Sequence, residues 1–171
     1  MGDYTNMSGY YDLIMTSGYY DYDEIVDNLV QHLPFTHVLE IGCGTGLILE
    51  TLAKRQPNVS ITGVDLTQAM LTIAQQRLRT FSQVTLKHQN VTELHLEQDY
   101  DLAFSYGGVW YFVIDGDKQP FLVSHIAQDA PNRQGLDSVA KHIKAGGQLL
   151  LGVQGPHHDY ASPISNGMMY S

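Results

Sequence analysis

Val38-Leu39-Glu40-Ile41-Gly42-Cys43-Gly44-Thr45-Gly46 is the stretch from which the fold is read. An apolar run enters it, three glycines alternate through the turn, and a helical pattern leaves it. Glycine adopts backbone angles closed to other residues and has no side chain to obstruct a ligand. A strand, a tight turn and a helix in that order bring backbone N–H groups and a helix N-terminus to one point. In an open α/β sheet that point lies at the carboxyl end of a parallel strand, where small molecules bind. The stretch therefore predicts a pocket for a nucleoside-containing cofactor.

Working outward, the spacing of Ile25, Val26, Leu29, Val30 and Leu33 predicts a helix after Asp23, ended by Pro34. Residues 37–42 form the first strand, 47–55 a helix stopped by Pro57, and 59–65 the second strand. Thr67 caps a helix carrying Met70, Ile73, Ala74, Arg77 and Leu78. Strands follow at 83–88 and 100–106. Residues 107–131 show no clear periodicity and read as a long aromatic cover. Leu136, Val139, Ala140 and Ile143 mark a last helix closed by Gly146-Gly147, and residues 148–153 a fifth strand. A further short strand is expected near residues 168–170. Strands alternating with helices predict a mostly parallel sheet with right-handed crossovers and helices on both faces.

The domain organisation read from this is an N-terminal arm or lid (1–22), an α/β domain (23–155) and a tail (156–171) that begins a truncated substrate or cap region. Tyr4, Tyr10, Tyr11, Tyr19, Tyr20 and Tyr22 crowd the arm, which reads as irregular. Tyrosine joins an apolar face to a polar tip, as a lid over a pocket requires, although ordinary core packing explains it as well.

Composition narrows the partners. Eighteen acidic residues against 9 basic ones give a formal charge of -9, with no Lys/Arg cluster. Nucleic-acid and anionic-membrane binding need a basic patch, so neither is expected. Cys43 is the single cysteine, which points to a reducing, cytoplasmic compartment. No apolar run reaches membrane-spanning length. Asp115-Gly116-Asp117 lacks the other ligands of a calcium loop, and His157, His158 and Asp159 are neighbours that point to opposite sides, so no metal site is expected.

Several residues are candidates for chemistry. The dinucleotide fingerprint would place a third glycine where Leu47 stands, which disfavours a pyrophosphate-bearing cofactor. Asp65 ends the second strand, 21 positions beyond Gly44, beside the turn. A carboxylate there accepts hydrogen bonds from a ribose diol, with helix capping as the plainer role. Glu40 is a carboxylate inside an apolar strand and needs a partner, either backbone N–H groups or a cofactor ammonium.

These segments resemble class I S-adenosylmethionine-dependent methyltransferases of small-molecule type. The glycine stretch resembles their first motif. Val64-Asp65-Leu66 with Met70-Leu71 resembles the second, Tyr100-Asp101-Leu102-Ala103-Phe104 the fourth strand, and Lys144-Ala145-Gly146-Gly147-Gln148-Leu149-Leu150-Leu151 the approach to the fifth. The likeness runs in order over residues 25–153. It implies a Rossmann-like sheet, S-adenosylmethionine as cofactor with S-adenosylhomocysteine as product, and direct methyl displacement onto a small-molecule acceptor. It also implies roles. Gly42, Cys43, Gly44 and Gly46 would face the methionine and ribose parts, with Glu40 near the ammonium and Asp65 on the ribose. Leu66 and Met70 would line the adenine pocket, Asn90 and Val91 its edge. Tyr106 would lie between cofactor and acceptor. If the acceptor arrives protonated, His125, His157, His158 and Tyr106 are candidate bases, Tyr106 and His125 first. Trp110, Tyr111, Phe112 and Phe121 are candidate acceptor-site walls.

In the family the last two of seven strands form a hairpin after the fifth. Here they look missing: either the sequence is a fragment of a longer enzyme, or the fifth strand is an open edge for a second copy or a partner chain to cover. The alternatives are a non-catalytic cofactor-binding module or subunit and, further off, a nicotinamide-dependent oxidoreductase.

Overall fold

The computed structural model describes residues 7–32, 34–114 and 118–154, with the backbone of two short strands at Ser162–Pro163 and Met169–Tyr170. Leu33, Tyr4 and residues 115–117, 155–161 and 164–168 lie outside the described residues, so the readings placed on Asp115-Gly116-Asp117, His157, His158 and Asp159 do too.

The elements in chain order are α1 (Ser8–Ile14), one π-helical turn (Met15–Tyr19), α2 (Tyr22–Val30), β1 (His37–Ile41), α3 (Leu47–Arg55), β2 (Ser60–Asp65), α4 (Gln68–Leu78) and β3 (Val84–His88). A 3-10 turn (Val91–Glu93), β4 (Tyr100–Ser105), β5 (Trp110–Val113), β6 (Phe121–Ser124), α5 (Asp129–Ala140), β7 (Ile143–Gln154), β8 (Ser162–Pro163) and β9 (Met169–Tyr170) follow. One seven-stranded sheet has the order β3-β2-β1-β4-β7-β5-β6, and only the β5–β6 pair within it is antiparallel.

Alternation along β1 divides the core. Val38 packs on one face with Ile25, Val26 and Leu29 of α2, Leu49 and Leu52 of α3, and Leu71 and Ala74 of α4. Leu39 and Ile41 pack on the other with Val91, Trp110 and Val139 of α5. Residues two apart on a strand share a face, so Glu40 points with Val38 toward α2 and α3. Gly63 of β2 lets α3 come close. A Cβ there would stand 2.5 Å from Leu49 Cδ1 and 2.9 Å from Cys43 Sγ. The helix–sheet approach associated with a third turn glycine is thus supplied from the neighbouring strand.

Four expectations are corrected. The arm is helical rather than irregular over α1 and the π-helical turn. Residues 107–131 contain the β5–β6 hairpin, and Tyr111 and Phe112 pair with Gly152 and Val153 of β7. The fifth strand in the sheet's sense, β7, is therefore no open edge. The chain's own aromatic segment occupies that edge, with β5 parallel to β7 and β6 antiparallel to β5. The last helix starts at Asp129, with Pro131 in its first turn, where the missing N–H costs little. Ile143 belongs to β7, not to that helix, and Gly146-Gly147 lie within the strand, close to a register shift opposite Tyr100 and Leu102.

At the opposite end of the sheet Asp101 joins β4, β1 and β7. Its carboxylate accepts from the Thr36 amide (2.7 Å), the Thr36 hydroxyl (2.9 Å), the His37 amide (2.9 Å) and Lys144 Nζ (2.6 Å). Burial raises its pKa, but the Lys144 bond and the bonds from Thr36 and His37 outweigh that and hold it well below the usual carboxylate range. Because the folded value lies below the unfolded one, the stabilisation is present above about pH 4 and is lost as pH falls through the folded value. Asp101→Asn is expected to cost about 1–3 kcal/mol at neutral pH and to flatten the stability curve below pH 4. Urea unfolding from pH 2 to 7 measures both.

Candidate functional site

The cleft opens at the carboxyl ends of β1 and β2, where the glycine turn leaves the sheet. Gly42 and Gly44 take left-handed angles (φ 76° and 53°), which any side chain would strain. The turn is held from within. The Gly42 and Cys43 amides donate to Val64 O (2.8 and 3.0 Å), and the Gly46 amide to Cys43 O (2.9 Å). The Gly44 amide donates to Asp65 Oδ2 (2.8 Å). These four donors of the turn are engaged within the fold itself.

Two cavities meet at this turn, sharing Gly42, Gly107 and Tyr11 in their walls. The larger, about 780 Å³ including its open mouth, is lined by Gly44, Asp65, Leu66, Met70, Asn90, Val91 and His125 among others. The smaller, about 330 Å³, is lined by Glu40, Cys43, Thr45, Leu47, Tyr20, Tyr22 and Tyr106. Of the residues expected from sequence, Gly46 reaches neither. A Cβ on it would meet Leu78 Cδ1 at 2.8 Å and Ala74 Cβ at 3.3 Å, so it serves the packing of α3 on α4. Tyr106 and His125 line different cavities and are not brought together as one catalytic pair.

Asp65 spans both roles weighed for it. Oδ2 takes the Gly44 amide, and Oδ1 takes the Thr67 amide at 2.7 Å, tying β2 to the start of α4. Thr67 sits at the helix start but makes no side-chain cap. Each carboxylate oxygen has a second lone pair, so Asp65 can still accept from a diol in the cavity it lines. Asn90 Oδ1 accepts from the Thr92 amide (3.1 Å) and so shapes the 3-10 turn. Leu66 is 40% exposed at the cleft lip, whereas Met70 and Val91 are buried beneath it.

Glu40 is the anomaly of the site. It is 3% exposed, and its Oε2 has no hydrogen-bond partner among the described residues. Burial first, and the Asp65 carboxylate second, raise its pKa well above the usual value. A buried carboxylate oxygen left without a donor is costly and marks where a cationic donor would be stabilised. Cys43 is buried beside it, and burial pushes its thiol up, aided by Glu40 and Asp65.

Burial also raises the Tyr106 phenol, with Glu24 adding to it, so it stays protonated at neutral pH. Burial lowers the His125 imidazole, so it is neutral there and able to accept a proton. The expected acceptor walls are mostly elsewhere. Trp110 is fully buried in the core, with Nε1 donating to Asn132 Oδ1 (2.8 Å) and its ring against Gly135. Tyr111, Phe112 and Phe121 belong to the hairpin and line neither cavity.

Sequence reading missed Gly108, whose backbone lies against Gly42, and Tyr11, whose ring lies over Gly44. The Gly107-Gly108 doublet directly after β4 was the available signal for the first. Tyr11 had none beyond the crowding of tyrosines. Among the described residues, no group of three or more His, Cys, Asp or Glu is placed to hold a metal ion, and no helix is long and apolar enough to cross a membrane.

Comparison with known proteins accords with this geometry. Residues 38–128, more than half of the chain, match the model of a methyltransferase domain family. A malonyl-[acyl-carrier protein] O-methyltransferase from Priestia megaterium is 41% identical over 68 residues, 40% of this chain and 24% of that protein. One from Paenibacillus sp. is 30% identical over 122 residues, 70% of this chain and 39% of that protein. Among solved structures, Streptomyces venezuelae DesVI superposes with TM-score 0.64 at 21% identity, over 82% of this chain and 54% of that one. An amino pentose methyltransferase from Micromonospora echinaspora, solved with S-adenosylmethionine bound, gives 0.63 at 21% identity over the same shares. At such identity the superpositions speak for the fold. The chain thus spans 24–39% of the length of these two curated relatives and about half of these two solved ones.

Proposed function

This chain belongs to the methyltransferase-domain family, and from that premise we propose that it transfers the methyl group of S-adenosylmethionine to a small-molecule acceptor. The observation that carries the reading is the pair of adjoining cavities, with Asp65 in one and, in the other, the Glu40 oxygen that has no partner among the described residues. A cofactor that carries a ribose diol and an ammonium group fits that pair of acceptors.

In this reading Asp65 holds the ribose, Leu66 and Met70 flank the adenine, and Asn90 and Val91 border its edge. Gly42, Cys43 and Gly44 give the cofactor a close backbone floor. Glu40 takes the ammonium. The bound cofactor supplies a methyl already activated on a sulfonium, so the residues align rather than activate; such alignment accounts for roughly 7–11 kcal/mol of barrier in well-oriented systems. Tyr106, a protonated phenol, orients the acceptor by donating a hydrogen bond. His125 accepts the acceptor's proton where one must leave. The helical arm acts as a lid, since Tyr11 borders both cavities and Tyr20 packs edge-on against Tyr106 (ring centroids 5.3 Å apart).

The acidic balance and the lack of a basic cluster favour a small acceptor over nucleic acid or a membrane surface. The lone, buried Cys43 suits a cytoplasmic setting. The test is transfer of radiolabelled methyl from S-adenosylmethionine to a panel of hydroxylated, carboxylated and amino small molecules. Acceptor-dependent incorporation, diminished by His125→Ala, is expected. A chain that binds the cofactor but labels no acceptor would favour a cofactor-binding module instead.

A further inference from the structure

The N-terminal helix α1 buries none of its residues, and seven residues alone are too few for a stable helix in water. Asp12 ties it to the glycine turn and to α4. One carboxylate oxygen accepts from the Thr45 hydroxyl within the glycine turn, at 2.5 Å, and the other from Arg77 on α4. Arg77 also donates from Nε to the Thr45 carbonyl (2.9 Å) and from its remaining nitrogen to Glu50 Oε2 on α3 (3.1 Å). The guanidinium thus grips the arm, the turn and α3 together. Thr45 is 1% exposed, while the side chains of Arg77 and Asp12 are 21% and 32% exposed. The turn side of the cluster is fixed, and the arm side is within reach of water.

Asp12 immediately follows Tyr11, whose Cε1 would stand 3.9 Å from a Cβ on Gly44 and which borders both cavities. Holding Asp12 therefore sets Tyr11 over the turn. We propose that Asp12, Thr45 and Arg77 form a latch that closes the arm over the bound cofactor, and that its opening controls how fast the cofactor product leaves. Asp12 and Arg77 act here as positioning residues: they touch the turn and the arm but line neither cavity, whereas Tyr11 borders both. An exposed ion pair contributes little, and a partly buried one whose partners are held by further hydrogen bonds contributes more. With Tyr11, Leu13 and Ile14 only half-buried, the polar cluster adds to a shallow apolar contact, strong enough together to favour closure and weak enough to reopen. This proposal rests on the cofactor reading above.

The test is the dissociation rate of S-adenosylhomocysteine from the purified chain, measured by displacement in stopped flow. Chymotrypsin cleavage at the exposed Tyr10 serves as a second readout of the arm. Asp12→Asn and Tyr11→Ala are each expected to speed dissociation about tenfold with association changed less than twofold. Bound product should protect the wild-type arm from cleavage and the Asp12→Asn arm much less. Arg77→Lys keeps the charge but loses the fork, and should fall between. Glu50→Gln, which alters an Arg77 partner outside the arm, should change the rate less than twofold. Raising the salt concentration should speed release from the wild type more than from Asp12→Asn. Product binding with an unchanged dissociation rate in Asp12→Asn would overturn the latch alone. No product binding by the folded wild type would overturn both the latch and the cofactor reading.

Discussion

Glu40→Gln is expected to make the ligand-free chain more stable at neutral pH while weakening S-adenosylhomocysteine binding by about 10- to 100-fold. The two effects have one cause. Burial and the nearby Asp65 raise the Glu40 pKa in the folded chain. When an acid is raised on folding, its favourable contribution is complete below the unfolded value, near 4.5, and is lost as pH climbs through the folded value. At neutral pH the native carboxylate is therefore a burden that glutamine, a neutral near-isostere, removes. A bound ammonium reverses the balance, because a charge-assisted hydrogen bond is worth roughly 1.5–3 kcal/mol.

The groups around Glu40 act in the same direction. Asp65 is anionic. Cys43, Tyr22, Tyr20 and Tyr106 are neutral with raised pKa values, and no Lys or Arg lines either cavity among the described residues. Wild-type affinity should thus rise as pH climbs toward the raised Glu40 value, with protons released on binding, and Glu40→Gln should show neither trend. Thermal melts without ligand from pH 5 to 8, and calorimetry in buffers of different ionisation enthalpy, measure both effects. A Glu40→Gln protein that melts lower at pH 7.5, or binds as the wild type does, would contradict this role.

Gly108→Ala is expected to cost about 1–3 kcal/mol of stability, as overpacking does, and to reduce product binding more than tenfold. A methyl at Gly108 would come within 2.5 Å of Ile41 O and 3.0 Å of Gly42 O. Both are backbone atoms at the end of the central strand, and neither can swing aside. The turn after β4 would have to lift from the glycine turn, opening the cleft floor. Gly9→Ala is the contrast. It lies in α1 with nothing within 4 Å of the added methyl, and should be neutral or slightly stabilising. Equal losses from the two substitutions, by denaturant unfolding, would contradict the close backbone contact.

What the sequence made legible follows from how local each signal is. The glycine turn, α3, β2, α4 and β3 were readable because apolar spacing and punctuation are written within each segment. Asp65 was readable because its distance from the turn is set by one βαβ unit. Residues 110–124 were not. Trp110-Tyr111-Phe112-Val113 has no alternation, and it is a strand because β7, some forty positions onward, offers an edge to pair with. Trp110 was read as a wall of the site because it is aromatic. Only the fold shows that Asn132 satisfies its indole N–H inside the core. Pro131 closes the stretch without periodicity, yet it stands in the first turn of α5. The Asp12–Arg77 pair joins residues 65 positions apart and left no sequence trace.

The cofactor site is tested most directly by calorimetric titration of S-adenosylmethionine and S-adenosylhomocysteine into the purified chain, with Asp65→Ala and a nicotinamide dinucleotide as controls. Micromolar binding of both ligands, lost at least tenfold in Asp65→Ala and not seen for the nicotinamide dinucleotide, is the expected result. Binding that survives the loss of the Asp65 carboxylate, or a folded chain that takes up neither ligand, would contradict it.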